Sequence, residues 1–229
     1  MSIRKMAAQA AILQALFLIA TVVIYMAVLP SMGMQMSDWN DPNKMAQFYI
    51  AHKSVFICYY FFDWVFGITT FVLAAAFTQR FSRRQPWLGI MLGGWGVMSA
   101  ALFLLAGTAG VLGTPAAIHD YTAHQSVAFA MTLQQIQFIV ESTAIGAVGV
   151  VVFCAALASA RTKAFGAFLN WCGYLTGIFY VASVVLSAIS MSLGFIGFLG
   201  VITAIVFNVG VAMHFIKQPN PELQLAPQA

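Results

Sequence analysis

Two carboxylic acids stand where carboxylic acids are rare. Asp63 follows Tyr59-Tyr60-Phe61-Phe62, and Glu141 follows Phe138-Ile139-Val140, each within a long run of apolar residues. An ionisable side chain in hydrocarbon costs about 2.5–3.5 kcal/mol or more unless it is paired, wetted or protonated, so each is a functional candidate. No lysine or arginine lies at their depth, which leaves three roles. The carboxyls can be hydrogen-bonded groups that fix the helix arrangement, a proton or cation site, or catalytic acids. Gln134, Gln137 and Glu141 follow an i, i+3, i+7 spacing and share one helix face, a polar stripe that could line a vestibule. Tyr59 and Asp63 share a face in the same way, and Tyr59 joins the candidate ligand- or ion-binding set.

Softer donors lie outside the apolar runs. Met32, Met34 and Met36 form an M-x-M-x-M pattern, and His119 and His124 fall in a later polar stretch. Thioethers and imidazoles select copper(I), so these five residues are the candidate metal ligands, with interfacial packing of methionine as the alternative. The stretch Gly113 to Gln125 is expected to be a solvated loop capping the bundle, and His214 to reach the headgroups. Cys58, Cys154 and Cys172 include no C-x-x-C pair and are expected as small buried hydrophobes. There is no glycine-rich phosphate loop, no G-x-S-x-G elbow and no H-E-x-x-H, and the residues name no cofactor.

The elements that must position these groups are transmembrane helices. Of 229 residues, 62% are apolar and 7% charged, against roughly 25% charged in a soluble domain. That excludes a water-soluble globule, a disordered chain and a nucleic-acid binder. Six runs approach or exceed the roughly 20 residues that cross a bilayer: Ala11 to Leu29, Ser54 to Thr78, Trp87 to Leu112, Met131 to Ala158, Phe165 to Ser190 and Leu193 to Phe215. Arg4, Lys5, Arg80, Arg83, Arg84, Arg161, Lys163 and Lys217 fall on one side of this threading, and only Lys44 and Lys53 on the other. The positive-inside rule then puts both termini in the cytoplasm and makes the first span an uncleaved signal anchor. Residues 1–216 are expected to form one all-α six-helix domain, and residues 217–229 a disordered cytoplasmic tail.

Spans two and three, and spans four and five, form two basic hairpins that suggest a repeat. One constant shift carries Arg83 onto Arg161 and Asp63 onto Glu141. Gly89-x-x-x-Gly93 and Gly173-x-x-x-Gly177 lie on the returning helices, and small residues at Ser183, Ser187, Ser190, Gly194, Gly197 and Gly200 suit close helix packing. The anchor helix, the long first outer loop, the hairpins and the stretch Ala164-Phe165-Gly166-Ala167-Phe168-Leu169-Asn170-Trp171-Cys172-Gly173-Tyr174-Leu175-Thr176-Gly177 resemble a family of small bacterial six-helix membrane proteins of unknown function. The proline that usually precedes the tryptophan-glycine stretch is absent. The resemblance implies this fold and the bacterial inner membrane and brings no activity. The reading is an accessory or small-ligand-binding membrane protein whose polar site opens to the outer face and which meets the bilayer, a small ligand or a membrane-protein partner. A proton- or cation-coupled transporter using Asp63 and Glu141 comes second, and a membrane enzyme of unknown reaction third.

Overall fold

The computed structural model describes residues 2–35, 38, 41–187, 189 and 196–217, and among them every regular element is helical. Six helices are long and apolar enough to cross a membrane. They are α1 (Ile3–Ser31), α3 (Lys53–Phe81), α4 (Pro86–His124), α5 (Ala128–Thr162), α6 (Ala167–Ser187) and α7 (Gly197–Lys217); α2 (Pro42–Ala51) is short and lies between the first two. This confirms the all-α, six-span expectation. The chain is a multi-pass membrane protein.

Each spanning helix packs on the next, and α7 returns to α1, so the six close into a ring. Apolar side chains face outward as readily as inward: Ile90, Leu112 and Phe168 are each about 70% exposed, as lipid contact requires. The inward contacts are made by small residues, because lipid gives helices no hydrophobic reason to associate and close van der Waals approach must substitute for it. A Cβ placed on Gly177 would come within 2.7 Å of the Gly149 carbonyl oxygen, and one on Gly96 within 2.2 Å of the Ala74 methyl. The glycines of the two hairpins are not used alike. Gly173 meets Ala156 and Phe207 across helices, whereas Gly89 meets Ser82 of its own turn and Gly93 only brushes Thr78.

One end of the ring carries Arg4, Lys5, the Arg80 to Arg84 turn, the Arg161 to Lys163 turn and Lys217. This basic end is closed by a solid core of Phe77, Phe81, Phe165, Phe207 and Phe215 with alanines from α1 and α5. Polar ties bind the helix ends there: Arg4 donates to the Phe215 carbonyl (3.1 Å), and Arg80 donates to His214 Nε2 (3.0 Å). His214 also sits edge-on to Phe165. It is therefore turned into the bundle, where the sequence suggested a side chain reaching for headgroups. Trp87 and Trp171 stand exposed at this end, as residues of a membrane interface do.

The far end departs from expectation. The stretch from Gly113 is no loop: α4 runs on to His124, and only Gln125–Val127 connect it to α5. Hydropathy marks where a helix leaves hydrocarbon, not where it ends, and α4 at 1.5 Å per residue is about 58 Å long against about 30 Å of hydrocarbon. The projecting ends of α4 and α5 support α2, whose Tyr49 and Ala46 are fully buried against Tyr60, Ala117, Ala130 and Leu133. Asp41 caps α2 by accepting from the Asn43 and Lys44 amides, and Pro42 occupies its first turn. Asp38 accepts from the Gln35 amide and pairs with Lys44 at 3.1 Å; the amide first and the ammonium second hold its carboxyl below the usual range. Cys154 and Cys172 are buried, but Cys58 is exposed on the flank of α3. Ser190, Leu193, Gly194 and the tail from Gln218 lie outside the described residues.

Candidate functional site

Away from the basic end the ring does not close on itself. It surrounds a cavity of about 370 Å³ to which every helix contributes. The wall is mostly aliphatic and aromatic. Gln14, Val152, Phe207 and Asn208 lie toward its basic-end floor, and Pro42, Met45 and Val55 toward the far end.

Glu141 is the single charged side chain among the described residues of that wall. Its carboxyl group accepts a hydrogen bond from the Tyr59 hydroxyl, and Tyr25 stands edge-on to Tyr59, so α1, α3 and α5 meet at one cluster. Tyr25 reaches that position from a π-turn, Ile24–Val28, that interrupts α1. Such a turn inserts one residue and changes which side chains face inward beyond it. Phe198 of α7 completes the surround by packing edge-on to Tyr25.

Gln134 and Gln137 continue the stripe from Glu141 toward the far end, and both line the cavity. Gln137 is 4% exposed. Its amide donates to the Ala106 carbonyl at 3.4 Å, while its Oε1 has no partner. Gly110 makes this possible, since any Cβ there would fall within 2.3 Å of both the Gln137 amide and the Tyr60 ring. Tyr60 stands beside Tyr49, ring centroids 6.4 Å apart, and Tyr49 is hydrogen-bonded to Thr114. On the floor, the Gln14 amide donates to Thr70 at 3.0 Å.

Asp63 is placed differently. It is 2% exposed, does not line the cavity, and its Oδ2 has no hydrogen-bond partner. It lies close enough to Glu141 for their charges to interact. Neither is in an ion pair; the pairs among the described residues are Lys44 with Asp38 and His124 with Asp120. The structure thus gathers Tyr59, Gln134, Gln137 and Glu141 about one cavity and sets Asp63 behind its wall. Sequence reasoning missed Tyr25, Gln14 and Phe198. Gln14 could have been found as the one amide side chain in the apolar run Ala11 to Leu29, but nothing in the periodicity marks a π-turn.

Residues 7–218 match the family profile of DUF4386, a domain of unknown function. The chain belongs to the DUF4386 family. The match takes in the entire cavity wall and nearly all of the six spans. No curated protein and no solved structure matches the chain. The DUF4386 description carries no activity, so a functional reading has to come from the site.

Of the five candidate metal ligands of this DUF4386 chain, four are described, and none of the four lines the cavity. Met34 is buried beyond the end of α1, Met32 is half-buried, and Met36 lies outside the described residues. His119 and His124 are exposed on the projecting end of α4, and His124 Nδ1 contacts Asp120 at 3.0 Å. Among the described residues no three or more His, Cys, Asp and Glu side chains converge.

Proposed function

We propose that the chain holds a small amphiphilic ligand in the central cavity, with the ligand's polar end at Glu141 and its apolar body against the aromatic wall. The observation that supports this is a closed ring of helices around about 370 Å³ of mostly apolar space with one charged group on its wall. Binding sites for small molecules are of this kind and size, apolar cavities with a few placed polar groups. The asymmetry of basic residues supports a cytoplasmic basic end and both termini inside, so that the far end of the cavity faces out from a bacterial inner membrane. Residues 1–216 then act as one accessory or binding domain ahead of a cytoplasmic tail.

The test is saturable binding of the uncharged fluorescent amphiphile N-phenyl-1-naphthylamine to the protein in nanodiscs, against empty nanodiscs. Val201→Trp, which fills the cavity, is expected to abolish the saturable signal. Ile202→Trp, next to it but 58% exposed to lipid, is expected to leave it intact. Equal binding by both variants and the parent chain would refute the cavity as the site.

A second reading, a proton- or cation-coupled carrier, draws on the unpartnered Asp63 oxygen within electrostatic range of Glu141. It requires that uptake into proteoliposomes follow an imposed pH gradient and be lost in Asp63→Asn. Binding without gradient-driven uptake would decide against it.

A further inference from the structure

We infer that the ligand of this cavity is a lipophilic cation, an ammonium whose charge sits between Glu141 and the faces of Tyr25, Tyr59, Phe138 and Phe198; the inference rests on the cavity reading and names the ligand's chemical class. Three observations carry it. The described wall has one carboxyl group and no lysine, arginine or histidine, so a cation entering the cavity meets no basic residue and could hold Glu141 ionised. Its polar groups also include an unanswered acceptor, Gln137 Oε1, on a side chain more than nine-tenths buried. A bare buried carbonyl oxygen carries partial negative charge, and in an apolar space it is the ligand that can answer it, through an N–H donor or through the charge of a quaternary ammonium.

The third observation is the aromatic surround of the carboxylate. Tyr59 bonds to Glu141, Tyr25 stands edge-on to Tyr59 with ring centres 5.6 Å apart, and Phe198 stands edge-on to Tyr25 at 6.1 Å. Phe138 lies three residues before Glu141 on the same face of α5, and it too lines the cavity. Aromatic faces attract cations, most strongly where water is excluded. A carboxyl group in a wall rich in aromatic rings discriminates on charge, while the aliphatic remainder of the wall accepts any apolar body of suitable size. An anionic or strongly hydrated ligand would face Glu141 without compensation.

Benzyltrimethylammonium and its uncharged isostere neopentylbenzene differ by one nitrogen for carbon and test this directly. Each is used to displace N-phenyl-1-naphthylamine from the protein in nanodiscs, with partitioning into empty nanodiscs subtracted. The cation is expected to displace the dye at a concentration at least about tenfold lower than the isostere, a factor equivalent to one desolvated charge contact. Glu141→Gln, which keeps the shape and the bond to Tyr59, is expected to abolish that preference while dye binding persists. Glu141→Asp is expected to retain part of it. Equal displacement by the two compounds, or a preference unchanged in Glu141→Gln, would overturn the cationic assignment and leave the cavity reading standing. Absence of any saturable dye binding would overturn both.

Discussion

At the basic end, α3, α5, α6 and α7 meet through Phe77, Cys172 and Phe207, with Phe165 from the turn before α6 and alanine between them; one cavity length away the helices leave a space beside Glu141, Gln137 and Tyr59. The two regions share elements, lipid surroundings and mean composition. They differ in whether the inward side chains meet one another or leave a space between them. Toward the floor and basic end Gln14 is answered by Thr70, Arg80 by His214 and Ser159 by the Phe165 amide, while Thr78 Oγ1 and Asn170 Oδ1 have no partner. In the upper half Asp63 Oδ2 and Gln137 Oε1 go unanswered. Bare acceptors therefore occur in both halves, and what sets the upper half apart is that Gln137 borders an open cavity, where a ligand can answer it.

The most direct way to break the contrast is at the plug. Phe77 is 2% exposed and touches Phe81, Phe165, Phe207 and Phe215. Phe77→Ala should destabilise the protein by about 3–5 kcal/mol, since dispersion contacts are lost and the surrounding rings cannot collapse into the gap. Thermal unfolding in nanodiscs measures it. Truncating Val201 to alanine on the cavity wall should shift the same transition far less, because that side chain already faces empty space. If the two variants unfolded alike, the upper half would be as tightly filled as the lower.

Gly110 tests the other side of the comparison. Gly110→Ala drives a Cβ into the Tyr60 ring and the Gln137 amide, and overpacking of this sort costs about 1–3 kcal/mol. Because both displaced side chains belong to the site, dye binding should weaken even at temperatures where the fold is intact. An unchanged binding isotherm would separate Gln137 from the ligand. A smaller effect is expected at the floor: Gln14→Ala removes one buried hydrogen bond to Thr70, worth about 0.6 kcal/mol within a membrane bundle, since the hydroxyl can turn to a carbonyl of its own helix.

The same contrast explains what could be read from the residues beforehand. The spans, their number and the clustering of basic residues follow from apolar runs and from lysine and arginine placement, which act locally and leave a mark in every window. The i, i+3, i+7 spacing of Gln134, Gln137 and Glu141 is equally local, and it located one wall of the cavity. What periodicity could not supply was the cavity itself. Closure of the ring depends on α7 meeting α1, a contact between distant parts of the chain, and the inward turn of Tyr25 depends on a π-turn that breaks the period used to read faces. Asp63 and Glu141 match in depth by sequence, and what separates them is how each helix is turned about its own axis: Gly107 packs against the Tyr60 carbonyl and Trp64 of α3, and Asp63 lies behind the wall while Glu141 of α5 lies on it. The Gly113 to Gln125 stretch was misjudged for a different reason, since polarity there reports exit from the membrane while the backbone stays helical.

The smallest expected effect lies outside the membrane and concerns how the far end is held. The Gln35 amide and then Lys44 keep the Asp38 carboxyl below its ordinary range. A carboxyl whose folded value is depressed contributes stability above the unfolded value and loses it as pH falls through the folded one. The anchorage of the segment before α2 should therefore be constant from neutral pH down to the unfolded carboxylate range, about 4, and loosen below it. Both groups are on the surface, so salt should weaken the Lys44 part of the anchorage. Hydrogen exchange at Lys44, Met45 and Ala46, corrected for intrinsic rates, should quicken between pH 5 and pH 3 in the parent chain. Asp38→Asn should show the quicker exchange at both pH values, because its amide cannot supply the charge. Were the parent chain's exchange flat across that interval, α2 would be held by Tyr49 and Ala46 alone, and the far end would owe its position to the same kind of apolar burial as the plug.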